Sequence, residues 1–301
     1  MTQRHVGPEV GTPAQVTRVD PAPAAKGSDE DGWVVSPVEG WQPAHRAKEL
    51  WAYREMVLFL AVRDLQVRYK QAVFGILWAV VQPLVGAAVF VVVFSRLADV
   101  PSDGLPYLLF AFLGYAVWTY FSSSLTSANA SLVANSALVT KVYFPRLAAP
   151  LSAVLPGLVD LGIALVMAGI LMAVFGVAPG WPLLTLPLWL FLVALLAFGV
   201  GVLLATLNVK YRDAHFAVGL LTQLWLFASP VAYPTSLVPD RWQLVYHLNP
   251  MAGVLEGFRW SVLDGRPPGA SALLSLLVGV LLLCAGLTYF LRSERRFADV
   301  I

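Results

Sequence analysis

The chain has 301 residues, of which 58% are hydrophobic and only 13% charged, with a formal net charge of +2. Soluble domains are about a quarter charged, so this composition excludes an ordinary soluble domain and points to a membrane protein. One cysteine, Cys284 in "LLLCAGL", excludes an internal disulfide and reads as a buried apolar filler, and the four histidines lie too far apart to suggest a metal motif.

Residues 1–44, rich in Pro, Ala, Gly and charge without apolar periodicity, read as a disordered tail. They lack the apolar stretch of about 7–15 residues that a secretory signal needs. Six uncharged runs then approach the length needed to cross a bilayer, about 20 residues. They fall at about 71–95, 105–125, 147–175, 183–207, 216–233 and 270–291. The second turns small and polar in "SSSLTSANASLVANS", and the third is interrupted only by Asp160. Within the fourth, "GVG" at Gly199–Gly201 reads as close helix packing. Six spans put both termini on one side. With the termini in the cytoplasm, sixteen of the 20 Lys and Arg lie inside, and only Arg96, Arg241, Arg259 and Arg266 lie outside. The positive-inside rule therefore predicts a multi-pass protein of the cytoplasmic membrane with both termini cytoplasmic.

Between the fifth and sixth runs, "PTSLVPDRWQLVYHLNPMAGVLEGFRWSVLDGRPPG" is too apolar for a solvated loop and too charged for a seventh span. Pro239-Asp240 can start one short helix, and Asn249-Pro250 supplies an N-cap followed by proline at the first helical position for a second. The expected fold is all-α, with six transmembrane helices and two short re-entrant helices (about 239–262) dipping into the outer face. The ends Asp240-Arg241 and Glu256-Arg259 are expected to face water, with Leu244, Val245, Leu255 and Phe258 packed inward.

Five stretches stand in order along residues 45–300: "RDLQVRYKQAVFGILWAVVQPL", "LVTKVYFPRLAAPLS", "NVKYRDAHFAV", "LWLFASPVAYPTSLVP" and "LNPMAGVLEGFRW". Together they resemble the permease subunits of ABC exporters that move O-antigen, teichoic acid, capsule and related lipid-linked glycans. The resemblance implies a two-fold dimer of this chain bound to two copies of a separate ATPase, which would bind ATP and Mg. The chain itself holds no phosphate-binding loop of the G-x-x-x-x-G-K-[ST] type, since none of its five lysines follows a glycine. No cofactor and no catalytic residue are therefore expected here.

The resemblance also implies an interfacial helix, about 47–62, with Leu50, Tyr53, Val57 and Leu60 on one face, joined to the membrane by the charged stretch 63–70. Arg63 and Arg68, with Lys141, Tyr143, Phe144 and Arg146 of the following cytoplasmic loop, become the ATPase-coupling residues. Anchoring to lipid headgroups is the competing reading for the same bases and aromatics. Phe110, Tyr115, Trp118 and Phe121 either line a glycan channel, since aromatic faces stack on sugar rings, or belong to packing and the interfacial belt. Asp160 is expected to face protein or water, as a hydrogen-bonded structural group or on the path. The composition of the segment from Pro239 to Val262, between loop and span, suits a movable lid, so Asp240, Trp242, Leu244, Asn249, Glu256, Phe258 and Arg259 are expected to form an outer gate. A drug or small-lipid efflux permease would share this architecture, and an intramembrane glycosyltransferase is the reading from a different class. Against the latter, the sequence has no D-x-D and no paired carboxylates at sugar-transfer spacing in residues 45–301.

Overall fold

The computed structural model describes residues 43–301, apart from residues 71–74, 76, 137, 139–143, 212, 295–296 and 298–301. The disordered-tail reading falls on residues outside the described ones, except that Pro43 and Ala44 already open the first helix. Among the described residues all regular structure is helical.

An N-terminal arm is formed by α1 (Pro43–Ala52) and α2 (Arg54–Lys70). The sequence reading ends the helix at Val62, whereas α2 runs eight residues further. No glycine or proline interrupts the charged stretch, and Arg68 and Lys70 occupy the last turn, where the helix dipole favours cations. The first span is α3 (Leu77–Phe90), continued by a π-helical stretch over Val91–Leu97. Helix α4 (Tyr107–Ala134) does not stop near Leu125 as expected. Its polar half stays helical because the hydroxyls bond back to their own backbone, as Thr126 Oγ1 does to the Ser122 carbonyl at 2.9 Å and Ser131 Oγ to Ala128 at 2.7 Å.

The third span is divided into α5 (Ala148–Val154) and α6 (Pro156–Phe175), with Pro156, which has no N–H to donate, opening the second piece. A short 3₁₀ turn, Trp181–Thr185, leads into α7 (Leu186–Lys210). Helices α8 (Ala214–Ala228), α9 (Asp240–Tyr246), α10 (Pro250–Leu263) and α11 (Ala272–Ser293) complete the chain. Among the described residues, five helical stretches are long and apolar enough to cross a membrane: Leu77–Leu97, Tyr107–Ala134, Ala148–Phe175, Trp181–Lys210 and Ala272–Ser293. The fifth expected span is shorter. At 15 residues α8 measures about 22 Å, less than the roughly 30 Å of a hydrocarbon core.

Helix α4 is the hub, packing on α3, α5, α6, α7 and α8. In its apolar window 72% of residues are buried, against 17% in α11, which leaves most of its surface outward. That exposure corrects the reading of Cys284, which is exposed rather than a buried filler. The glycine pair of "GVG" does serve close packing. A Cβ on Gly199 would stand 2.7 Å from the Leu283 Cα of α11, and one on Gly201 would stand 2.6 Å from the Ala128 Cβ of α4.

Two hydrophobic clusters mark the bundle. The smaller joins Val57 of α2, Leu132 near the end of α4, Phe144, Leu147, Val209 of α7 and Phe290 and Phe297. It gathers the arm, the loop after α4 and the C-terminal ends of α7 and α11, and is here termed the arm end. The opposite, far end collects the start of α4, the chain after α8, and α9 and α10, held by Tyr107, whose hydroxyl donates to the Ala232 carbonyl at 2.5 Å. Helix α8 thus begins just after the arm-end tip of α7 and leads to the far end.

Candidate functional site

A groove of about 540 Å³ runs between the end of α2, α3, α4, α6 and Thr222 of α8. One wall is the small polar face of α4, with Thr119, Ser122, Ser123 and Thr126. Each donates its hydroxyl hydrogen to a carbonyl of its own helix: Thr119 to Tyr115 (2.8 Å), Ser122 to Thr119 (3.3 Å), Ser123 to Tyr120 (3.1 Å) and Thr126 to Ser122. Their donors are thereby used and their oxygen lone pairs remain. The wall is uncharged and rich in acceptors, suited to a partner that carries many hydroxyl donors.

Asp160, one turn into α6, lines the same groove and accepts from two adjacent α2 residues, the Arg68 guanidinium and the Tyr69 hydroxyl. The carboxylate therefore ties the arm to the third span. Arg63 donates to Asp64 Oδ1 (2.8 Å) and to Asn135 Oδ1 (3.0 Å), linking α2 to the C-cap of α4. Replacing Asp160 with alanine removes both bonds to the arm at once. Partly exposed ion pairs contribute about 1 kcal/mol or less and a hydrogen bond about 1 kcal/mol. Limited proteolysis near residue 70 is expected to speed up severalfold, with the thermal unfolding of the remaining bundle little changed.

The aromatic stripe of α4 lies elsewhere. Trp118 and Phe121 are buried against Trp225 of α8, with ring centroids 6.4 and 5.2 Å apart, and Tyr115 stands edge-on to Phe90 at 5.5 Å. None of the three lines the groove, and Phe110 lines a different pocket at the far end. Large rings at helical spacing on the hub face the neighbours that can cover them, and the small hydroxyl face is left open.

At the arm end Phe144 is only 4% exposed, packed in the smaller cluster, and Arg146 donates to the Glu294 carbonyl. Phe144 thus fastens the chain after α4 to the bundle. Lys141 and Tyr143 lie outside the described residues.

At the far end Asn249 caps α10, accepting from the Met251 N–H at 3.0 Å. It also accepts from Trp225 Nε1 (2.8 Å) and donates to the Ala228 carbonyl (3.0 Å) and to Ser229 Oγ (2.9 Å), so one side chain locks the end of α8 to the start of α10. Helix α10 is nearly all buried, with Leu255 and Phe258 inward as expected. Three expectations fail here. Leu244 and Val245 are 70% and 56% exposed, because α9 lies on the surface and turns them outward together with Asp240 and Trp242.

Arg259 does not face water either. Its Nη1 and Nη2 donate to the Pro230 and Val231 carbonyls at 2.6 and 2.7 Å, and its guanidinium lies 3.6 Å from the centre of the Phe110 ring. Burial lowers this guanidinium to about 9, so it remains cationic near neutrality. Glu256, three residues before Arg259, instead faces His247, at 3.3 Å. Sequence reasoning missed Trp225 and His247; the arginine inside "GVLEGFRWSVL" was the available signal that a buried cation would need carbonyl partners.

These features define a multi-pass helical membrane protein with a polar groove along its central helix. The chain belongs to the ABC-2 type transporter family, whose model matches residues 55–263. It is 30% identical over 257 residues to an O-antigen export system permease protein RfbA of Myxococcus xanthus, covering 84% of this chain and 98% of the relative. Two relatives of the same description from Klebsiella pneumoniae are 27% and 29% identical over 253 and 250 residues, each covering 82% of this chain and 95% of the relative.

Proposed function

We propose that this chain is the membrane-spanning subunit of an ATP-driven exporter of a lipid-linked polysaccharide, O-antigen or a related glycan. The observation that carries the reading is the acceptor-rich hydroxyl wall of α4 inside an otherwise apolar bundle. A lipid or an apolar drug gains nothing from such a wall, whereas a sugar chain presents the hydroxyl donors it lacks. The names of the relatives support the same class of cargo.

In this reading two copies of the chain face each other across their grooves. A separate ATPase binds ATP and Mg and acts on the arm end, where the basic residues of α2 and the loop around Arg146 are gathered. The arm end lies in the cytoplasm, as the distribution of Lys and Arg supports. Helix α8 with the apolar residues after it makes the sixth crossing, and α9 and α10 form the outer gate. Within that gate α10 is the fixed part and α9 the movable one, given their difference in burial.

Replacing Thr119 and Thr126 with valine and Ser123 with alanine removes three oxygens while nearly preserving shape. Export of the glycan is expected to fall severalfold, with its lipid-linked precursor accumulating on the cytoplasmic side at unchanged protein level. Normal export from this triple variant would refute the role of the wall.

A further inference from the structure

We propose that a proton shared by His247 and Glu256 clasps α9 to the far end of the bundle, and that losing it frees α9. His247 follows the last turn of α9 and is 2% exposed. Its Nδ1 lies 2.8 Å from the Gln243 carbonyl, and a carbonyl only accepts, so Nδ1 carries a hydrogen. Its Nε2 lies 3.3 and 3.5 Å from the two oxygens of Glu256, on α10, which as a carboxylate also only accept. A neutral ring with its hydrogen on Nδ1 would aim a lone pair at those oxygens. The contact is a bond only when a second proton sits between them, as in an imidazolium facing a carboxylate.

The surroundings fit a clasp. Ser275 of α11 donates to the His247 carbonyl at 2.9 Å, and Ser271 Oγ stands 3.4 Å from Nε2. When the proton leaves, the Ser271 hydroxyl can donate to Nε2, and Glu256 loses its donor. Ser271, the residue before α11, and Ser275 within it are both uncharged. On α10 the nearby charge is Arg259, whose Nη atoms serve the Pro230 and Val231 carbonyls. On α9, Asp240 accepts from Gln243 at 3.1 Å, and Tyr246 lies edge-on to the imidazole at 6.1 Å, its hydroxyl pushed well above the usual range by burial and so neutral. Asp103 and Arg266 face each other at 3.9 Å in the pocket of about 210 Å³ that His247, Glu256 and Arg259 line. Tyr246 is half-buried and donates to the Tyr233 hydroxyl at 3.0 Å, while Asp240, Arg241, Trp242, Leu244 and Val245 are exposed, so the His247–Glu256 pair is the side-chain tie from the C-terminal end of α9 to α10.

The sign follows from proton count: the clasped form holds one more proton, so it is favoured at low pH and lost as pH rises. The inference deepens the gate reading of α9, but its test does not use export, so its failure and the failure of the transport proposal are separable. The probe is a nitroxide on Leu244→Cys in full-length Cys284→Ser protein in lipid nanodiscs, its mobility read at about pH 5 and at about pH 9. The mobile fraction relative to the immobile one is expected to rise about tenfold with pH, the size of one lost charge-assisted hydrogen bond. Glu256→Gln can donate its amide hydrogen to a neutral Nε2, so it is expected to stay immobile at both pH values. His247→Ala is expected to be mobile at both. A wild-type spectrum that does not change with pH, or a pH response that survives Glu256→Gln, overturns the proposal.

Discussion

Arg259→Ala is expected to destabilise the protein by roughly 3–5 kcal/mol, enough to remove most folded material from detergent extracts. The side chain is 7% exposed, and its charge is met by the Pro230 and Val231 carbonyls and the Phe110 ring. Truncation strands two buried carbonyls, each costing about 1–3 kcal/mol, and leaves a cavity beside the ring. It also releases the turn that follows α8, since those carbonyls belong to that turn. Arg259→Lys is expected to lose less, because an ammonium can still reach one carbonyl but cannot lie flat on the ring. Size-exclusion profiles and thermal unfolding of the two variants check the order, and equal stability of Arg259→Ala and the parent would show that the guanidinium carries no structural weight.

Gly286→Val is expected to be comparably damaging at a place with no charge at all. A Cβ on Gly286 would run into the Gly199 carbonyl oxygen, and one on Gly199 would meet the Leu283 Cα, so α7 and α11 touch backbone to backbone. A side chain there cannot be absorbed by a rotamer change, because the obstacle is main chain. The helices must separate, and overpacking of this kind costs about 1–3 kcal/mol or more. Gly279→Val, on the same helix but with its nearest neighbour at 3.6 Å, is the comparison and is expected to be tolerated. Expression and thermal stability of both decide it; the same stability for both would remove backbone contact as the reason for the glycine.

Much of the architecture was legible before any coordinates. The apolar runs, the caps at Asn249-Pro250 and the close packing of "GVG" rest on local chemistry: hydrogen-bond supply, chain length and the absence of a side chain. The end of α2 was misplaced because charge was read as a boundary, although helices tolerate charge where no backbone signal stops them. The polar half of α4 was cut short for a similar reason, since hydroxyls that bond their own helix do not end it.

The candidate site was legible only in part. Arg68 and Asp160 were both singled out, but 92 residues separate them, and nothing in either stretch says that they meet. For the aromatic stripe of α4 the sequence leaves channel lining and packing both open, and in the structure Trp118 and Phe121 pack on Trp225. Sequence periodicity shows that a helix has an aromatic face and a hydroxyl face; which face meets a neighbour depends on how the other helices are arranged around it. The sequence alone determined the membrane class, the order of the elements and the charge asymmetry, because hydrophobicity and charge act residue by residue. Only the tertiary structure decided which polar groups meet, turning Arg259 from a surface cation into the buried clamp on Pro230 and Val231, because the partners of a buried polar group come from whichever segment the fold brings beside it.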